Sequence, residues 1–317
     1  MNYPPEIDTL LTHAGRHPEQ WEQFVNPPVY HGSTVIFPTL ENFYAAQRDD
    51  YKGIPYARYG TPTTLAFEEA IGALEGGKSI AMTGGLTAIT VALLSHLSPG
   101  DHMLITDVLY GSAISLCLNE LRRFGIEVTF YDPMIGADIE SLIKPNTKVV
   151  YTESPGSFTF EVQDIPAISK AAHQHGCIVM LDNSWATPLL FKGFDKGADI
   201  IIMSGTKYIS GHSDHLMGIV TCNDKTYDKV MQTFRAFGTG ATSENCYLAQ
   251  RGLRTMHVRM RHQEQVALNI ATHLKKHPLV ERVLHVAFPE HPGHEIWKRD
   301  FAGSNGLFSI VLKKTLS

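Results

Sequence analysis

Short apolar runs alternate with helical segments from residue 63 to residue 203, and this alternation limits the possible folds most strongly. Strand-like runs are predicted at 79–82, 102–106, 128–131, 148–152, 177–182 and 199–203. Segments with apolar residues at helical spacing lie between or before them, at 64–74, 86–97, 112–124 and 165–175. Strands that alternate with helices predict an α/β fold, in which a mostly parallel sheet is covered by helices on both faces.

The two ends of the chain follow a different pattern. The first sixty residues are rich in proline and aromatics, as in 26–30 and 51–56, and predict an extended arm that lies on another surface such as a neighbouring subunit. A long helix is predicted over 243–277, and a last strand over 306–312. Because one strand cannot bury its own face, the C-terminal domain is expected to be incomplete.

The composition excludes several classes of protein. The 317 residues are 43% hydrophobic with a net charge of −5, which suits one large core and argues against nucleic acid as a partner. No apolar run has membrane-spanning length, and the N-terminus lacks the features of a secretory signal. The four cysteines have no Cys-x-x-Cys spacing and are interpreted as reduced thiols of a cytoplasmic protein: Cys117, Cys177, Cys222 and Cys246.

Lys207 is the main candidate for a functional residue. It follows the apolar run 198–203 and stands beside the hydroxyl residues Ser204 and Thr206. The carboxyl end of a strand is where open α/β sheets bind ligands. A lysine that forms a Schiff base there, with hydroxyls to hold a phosphate, points to pyridoxal phosphate as a cofactor. The alternative is a solvated surface lysine.

Three other positions are expected at the same edge of the sheet. Asp182 ends a buried run, and its carboxylate suits a protonated ring nitrogen, although a helix cap or Asx turn is the alternative. The turn at 83–88 contains Gly84 and Gly85, so its backbone can approach an anion, or it is a plain tight turn. Tyr110 suits stacking on a planar cofactor, or is a tyrosine of the rim.

Two further features lie apart from this group. Arg58 in the arm suits phosphate through its planar fork of donors, with a surface ion pair as the alternative. His212 and His215 are close together in a turn rich in glycine and serine, but no third ligand is near, so no metal site is expected.

Together these motifs resemble the transsulfuration, or Cys/Met metabolism, family of pyridoxal-phosphate-dependent enzymes. The resemblance extends from about residue 9 to the end of the chain and rests on motifs at 56–63, 83–88 and 199–213. Further stretches narrow the likeness to one branch of the family, at 153–157, where most relatives differ, and at 181–186, 207–217, 251–255 and 293–301. It implies fold-type I, with a seven-stranded sheet in a three-layer large domain. It also implies a homotetramer, a dimer of dimers, whose sites are shared across a dimer interface. The domains expected are an intersubunit arm, a cofactor-binding large domain, and a linking helix with a truncated C-terminal α+β domain, at 1–60, 61–255 and 256–317.

The resemblance also implies a role for each site residue. Lys207 would carry the cofactor and act as general base with help from Tyr110, which stacks on the ring, while Asp182 pairs with the ring nitrogen. The cofactor phosphate would be held by the backbone at Gly85 and Leu86, by Ser204 and Thr206, and by two arm residues of the neighbouring subunit, Tyr56 and Arg58.

The activity implied is β-elimination of L-cystathionine to homocysteine, pyruvate and ammonia, a step of methionine biosynthesis. Family members continue beyond Ser317, and the segment absent here carries the arginine that binds the substrate carboxylate. If the chain is the whole gene product, we therefore expect weak cofactor binding or weak turnover; the alternative is a truncated product or an incomplete record. Three alternatives remain open: a cysteine desulfhydrase, a γ-acting lyase or synthase, and a catalytically impaired oligomerising homologue.

Overall fold

The structure is a computed structural model that describes residues 6–48, 51 and 53–314. The other residues belong to the predicted arm, including the N-terminus considered above for a signal, and to the predicted C-terminal domain, and they lie outside the described residues. Within the described ranges, no helix is long and apolar enough to span a bilayer.

Nine strands are found in the described part of the chain, most of them short and almost completely buried. They are β1 (Lys78–Met82), β2 (His102–Thr106), β3 (Glu127–Tyr131), β4 (Thr147–Glu153), β5 (Ile178–Asp182), β6 (Ile200–Ser204), β7 (Gly218–Cys222), β8 (Val280–Leu284) and β9 (Ser309–Leu312). The first seven form one sheet in the order β1-β7-β6-β5-β4-β2-β3. Only β7 runs against its neighbours β1 and β6, so the predicted seven-stranded, mostly parallel sheet is confirmed.

Helices cover both faces of this sheet. They are α1 (Glu6–His13), α2 (Leu40–Ala45), α3 (Pro62–Glu75), α4 (Gly85–His96), α5 (Gly111–Ser115), α6 (Ile165–Gln174), α7 (Thr187–Leu190), α8 (Tyr227–Phe237), α9 (Ser243–Leu253), α10 (Met256–Leu274) and α11 (His294–Asp300). Beyond α5 the chain continues in π-helical turns over Leu116–Leu121.

Apolar side chains of the sheet pack into two layers of core. On one face Ile201 packs in a cluster with Phe67 of α3 and Leu253 of α9. On the other face Ile202 packs with Leu93 of α4 and Phe234 of α8. A sheet buried on both faces exposes ligand-binding groups mainly at the ends of its strands, which is why the site lies there.

Two strands lie outside the sequence prediction. β7 is the antiparallel strand between β1 and β6, and it follows the Lys207 segment closely. β8 pairs antiparallel with β9 through residues such as Val283 and Ile310. The expectation of a final strand without a partner is therefore wrong. β8 escaped prediction because two of its residues, Glu281 and Arg282, are charged and exposed.

The single helix predicted over 243–277 is also wrong, because α9 ends at Leu253 and α10 begins only at Met256. The break lies where another segment packs on α9. A Cβ at Gly252 would come within 2.5 Å of the Ile209 carbonyl oxygen. The carbonyl of Gly252 accepts a hydrogen bond from the Arg259 side chain at 2.8 Å and one from the Thr255 backbone N–H at 3.1 Å, three residues on, so the chain makes a tight turn there.

The region predicted as an arm is partly helical. Its first helix, α1, buries Ile7 and Leu11 against the main core. The following residues are mostly without regular structure and expose several apolar side chains, among them Phe24, Ile36 and Leu40. The division of the chain near residues 60 and 255 stays a prediction.

Candidate active site

Four strands deliver polar side chains to one end of the sheet. Glu153, Asp182 and Ser204 are the last residues of β4, β5 and β6, and Thr83 follows β1 directly. These residues surround a cavity of about 530 Å³. Seven of the nine predicted site residues line the same cavity: Gly85, Leu86, Tyr110, Asp182, Ser204, Thr206 and Lys207.

Lys207 lies in a tight segment after β6. Its backbone N–H donates to the Ser204 carbonyl at 3.2 Å, and its own carbonyl accepts from Gly211 at 2.7 Å. The Lys207 side chain is exposed, and its Nζ lies 5.4 Å from the centroid of the Tyr110 ring. The structure therefore places an amine and an aromatic face together, within reach of one ligand.

Asp182 is a buried carboxylate, 7% exposed, at the end of β5. One of its oxygens, Oδ1, accepts a hydrogen bond from the backbone of Ser184 at 2.9 Å. The Ser184 hydroxyl accepts from the backbone N–H of Ser204 at 2.7 Å, which ties the ends of β5 and β6 together. A buried carboxylate at this edge is the group that a protonated ring nitrogen requires.

Glu153 is a site residue that the sequence prediction missed. It is the register partner of Asp182 on the neighbouring strand, so two carboxyl groups stand side by side. Glu153 accepts from the backbone N–H of Tyr110 at 2.7 Å and from the Ser157 hydroxyl at 2.6 Å. Burial and the charge of Asp182 raise the pKa of Glu153 to about 8. A cation in the cavity would relieve this crowding of negative charge.

The start of α4 forms a candidate anion site. The first turn of a helix leaves N–H groups without intrahelical partners, and Gly84 provides no side-chain cap. Close packing brings this turn onto β6, since a Cβ at Gly85 would lie 3.1 Å from the Ser204 Cβ. The start of β7 also lies close to this turn. A Cβ at Gly218 would come within 2.0 Å of the Gly84 carbonyl oxygen, so only glycine allows β7 to approach the turn this closely.

The two predicted hydroxyl ligands differ in their surroundings. Ser204 Oγ faces the Gly85 turn, as a phosphate ligand would. The Thr206 hydroxyl instead donates to the Met217 carbonyl at 3.3 Å and accepts from the Met217 N–H at 2.9 Å. The Thr206 hydroxyl therefore holds the Lys207 segment to the start of β7. Binding of the cofactor phosphate would be a second role of the same hydroxyl.

Tyr56 and Arg58 are not brought to the Lys207 cavity within this chain. They line a separate cavity of about 660 Å³ together with Arg235. The Arg58 guanidinium lies 5.1 Å from the Tyr56 ring centroid and donates to the Tyr59 hydroxyl at 3.1 Å. Their predicted role toward a neighbouring subunit stays a prediction.

The pair His212 and His215 makes contacts within its own turn. His215 bonds Asp214 at 3.0 Å and the Ser210 hydroxyl at 2.9 Å, while His212 bonds the Ser210 carbonyl at 2.6 Å. Among the described residues, no group of three or more histidine, cysteine or acidic side chains is arranged to hold a metal ion.

Comparison with known proteins agrees with this geometry. The family described as Cys/Met metabolism PLP-dependent enzyme matches residues 8–317. Cystathionine beta-lyase MetC of Escherichia coli is 39% identical over 98% of this chain and 80% of its own length. An L-alanine/L-glutamate racemase of Wolbachia pipientis is 39% identical over 98% of this chain and 79% of its own length. The crystal structure of metB from Corynebacterium glutamicum superimposes with a TM-score of 0.91 at 30% identity, covering 97% of this chain and 78% of that one.

Proposed function

The chain belongs to the Cys/Met metabolism family of pyridoxal-phosphate-dependent enzymes, and we propose that it cleaves L-cystathionine by β-elimination. With one water consumed, the products are homocysteine, pyruvate and ammonia. The observation that carries the proposal is one cavity that joins Lys207 and the Tyr110 ring with a buried Asp182. The match to the E. coli lyase supports this substrate within the family.

The predicted family, fold-type I and use of pyridoxal phosphate are confirmed by the family match and by the superimposed metB structure. The prediction of a carbon–sulfur lyase is confirmed by the relationship to cystathionine beta-lyase. An amino-acid substrate follows from the family.

The residues present suit the cofactor. The cavity of about 530 Å³ accommodates a small planar ligand, and the uncapped start of α4 beside Ser204 would hold its phosphate. Asp182, buried next to Glu153, would pair with a positively charged ring nitrogen. Tyr110 would stack on the ring and Lys207 would bind the cofactor covalently. When bound, pyridoxal phosphate supplies an electron sink for negative charge that develops at the substrate Cα.

The chain's own residues move the protons. Lys207 Nζ, which is a free amine once the substrate is bound, takes the proton from the substrate Cα as general base and returns a proton to the departing sulfur. The Tyr110 ring, 5.4 Å from that amine, orients it and excludes water from one side. Glu153 fixes Tyr110 through the 2.7 Å bond to its backbone N–H.

The oligomer is part of the proposal. A dimer of dimers would place Tyr56 and Arg58 of one subunit at the cofactor phosphate of the next. The exposed apolar side chains of the arm, such as Ile36 at 90% exposure, support a partner surface there. A cytoplasmic location is proposed on the four buried, unpaired thiols.

Products decide between this function and its alternatives. The purified chain, loaded with pyridoxal phosphate, is given L-cystathionine, and thiol and keto acid are measured. Pyruvate with homocysteine supports the proposal, whereas 2-oxobutyrate would show γ-elimination. Release of hydrogen sulfide from cysteine, without any product from L-cystathionine, would indicate a desulfhydrase. Bound cofactor without any product would indicate a catalytically impaired homologue.

Amino-acid racemisation is a second candidate, favoured by the Wolbachia racemase, which is as similar to this chain as the E. coli lyase. Racemisation needs the Cα proton to be removed from one face and a proton to be delivered to the opposite face, so Lys207 would act on one face and a second donor, such as water, on the other. Incubating L-alanine or L-glutamate with the loaded enzyme and separating enantiomers tests it. A D-enantiomer formed at a rate comparable to pyruvate release would make racemisation a genuine activity, and its absence would exclude it.

A further inference from the structure

Three arginines surround a small cavity on the side of the molecule where α1 meets α9. The cavity has a volume of about 300 Å³ and is lined by Arg16, Arg251 and Arg254, here called the arginine pocket. The other lining residues are neutral, among them Asn26 and Tyr247. None of the site residues described above belongs to it.

The anchoring of two arginines explains part of this arrangement. Arg254 donates to the carbonyls of Leu11 at 2.6 Å and Ala14 at 2.8 Å, and Arg16 donates to the Thr12 carbonyl at 2.6 Å. These carbonyls belong to the last turn of α1 and to Ala14, the residue that follows it, and cations are favourable at a helix C-terminus. A helix end carries only about half an elementary charge, however, so it offsets a small part of three guanidinium charges.

The rest of the positive charge has no counterpart. Within the described ranges, no ion pair joins any of the three arginines to an acidic side chain. Arg16 Nε is buried without a hydrogen-bond partner, and the exposed Arg251 side chain makes no bond to another described residue. Burial and the charge of Arg16 lower the pKa of Arg254 to about 10. Like charges three residues apart on a helix, as at Arg251 and Arg254, also repel each other.

We propose that the arginine pocket binds a phosphate group, as inorganic phosphate or a small phosphate monoester. A phosphate monoester carries about −1.5 to −2 charges at neutral pH and has three strong acceptor oxygens, which suits several convergent guanidinium groups better than a carboxylate. The volume allows a phosphate and a few waters, since one water occupies about 30 Å³ in the liquid. This site is separate from the one that would hold the cofactor phosphate.

Phosphate titration of the cofactor-loaded protein tests the site. Excess cofactor is removed, inorganic phosphate is added in a phosphate-free buffer, and binding is measured by calorimetry and by the midpoint of thermal unfolding. Acetate and chloride at matched ionic strength serve as controls. We expect phosphate to raise the midpoint beyond these salts, because a ligand of the folded state stabilises it. The cofactor absorbance should stay unchanged, which shows that phosphate acts away from that site.

Variants identify the pocket. Arg251→Gln removes one guanidinium that has no hydrogen bond or ion pair among the described residues, and should weaken phosphate binding by about tenfold or more, the effect of one charged hydrogen bond. Arg282→Gln, at an exposed arginine of β8, is the matched control and should bind phosphate as the wild type does. Equal phosphate affinity in Arg251→Gln and the wild type would overturn the proposal. An acetate response as large as that of phosphate would also overturn it. So would a change in the mass of the assembly in Arg251→Gln without any phosphate binding to the wild type, because the pocket would then be an interface between copies.

Discussion

Asp182 and Glu153 bring two carboxyl groups to neighbouring strand ends, and this pairing governs how the site responds to pH. Burial and the charge of Asp182 raise the pKa of Glu153, while bonds from Ser157 and Tyr110 and the charge of Lys207 oppose the rise. The folded chain therefore keeps a proton that the unfolded chain has already lost. The contribution of Glu153 to stability is complete below its unfolded pKa and is lost as pH rises through about 8.

Replacing Glu153 by glutamine should remove this pH dependence. The glutamine keeps the hydrogen-bonding shape and has no proton to lose, so the free energy of unfolding should fall less between pH 5 and pH 8.5 in the variant. Urea unfolding of both cofactor-free proteins at the two pH values measures the difference. Identical losses of stability in the two proteins would mean that Glu153 is ionised throughout.

At the scale of residues, the sequence predicts those groups whose position follows from the end of a single strand. Asp182 ends an apolar run and Lys207 closely follows another, and both line the cavity. Glu153 directly follows the predicted strand 148–152, but its importance depends on β4 lying beside β5. Strand order is a property of the folded sheet, so the pairing of the two carboxyl groups is not evident from the sequence.

At the scale of elements, the position of α4 depends on a glycine of another element. A Cβ at Gly218 would lie 2.0 Å from the Gly84 carbonyl oxygen, whereas a Cβ at Gly84 would meet nothing within 4 Å. Gly218→Ala should therefore lower the free energy of unfolding by about 1–3 kcal/mol through overpacking and weaken cofactor binding. Gly32→Ala, whose added Cβ would also meet nothing within 4 Å, is the control and should do neither. Urea unfolding and cofactor titration measure both effects, and equal behaviour of the two variants would contradict the account.

Arg259 of α10 holds the segment that carries Lys207. Its guanidinium donates to the carbonyls of Tyr208 at 2.8 Å and Ile209 at 3.3 Å, the two residues after the lysine, and to Gly252 of α9. Arg259→Met should leave these three carbonyl groups without the guanidinium donor and so make the segment that carries Lys207 more mobile. We expect faster hydrogen exchange over residues 205–211 and a kcat that falls more than KM rises, with partial recovery in Arg259→Lys. Unchanged exchange in that segment would show that the contacts are not needed to hold it.

The bounds of a helix or strand can be predicted where its own residue pattern defines them. They cannot be predicted where a contact with a distant segment sets them. The helices α3 and α4 follow from apolar spacing and from glycine at their ends. The break between α9 and α10 does not, because helical spacing continues across it. It arises from the Ile209 carbonyl packing on Gly252 and from the bond of Arg259 to the same residue.

At the scale of the whole molecule, the proposed sharing of sites between subunits has a direct test. Lys207→Ala and Arg58→Ala damage different parts of a site that two subunits would build together. Mixing the two inactive proteins after unfolding and refolding should restore about a quarter of the wild-type sites, because half of randomly formed dimers are hybrids with one intact site each. The activity of the mixture, set against each variant refolded alone, is the measurement. If the mixture showed no recovered activity, Arg58 would act in the site of its own subunit or lie outside the site.

Contacts between subunits are the feature of this protein that its sequence predicts least. Proline-rich composition predicts that the arm needs another surface, and the exposed side chains of Phe24, Ile36 and Leu40 agree with that. Which surface it covers depends on a second copy, and neither spacing nor composition identifies a contact between chains.

Lys207 is proposed to drive β-elimination of cystathionine, and the keto acid released from L-cystathionine tests this role most directly. The wild-type protein loaded with pyridoxal phosphate should release pyruvate and homocysteine in equal amounts. Lys207→Ala should lose at least about two orders of magnitude in rate, as expected for removal of a general base. Formation of 2-oxobutyrate, or pyruvate release undiminished in Lys207→Ala, would contradict the account.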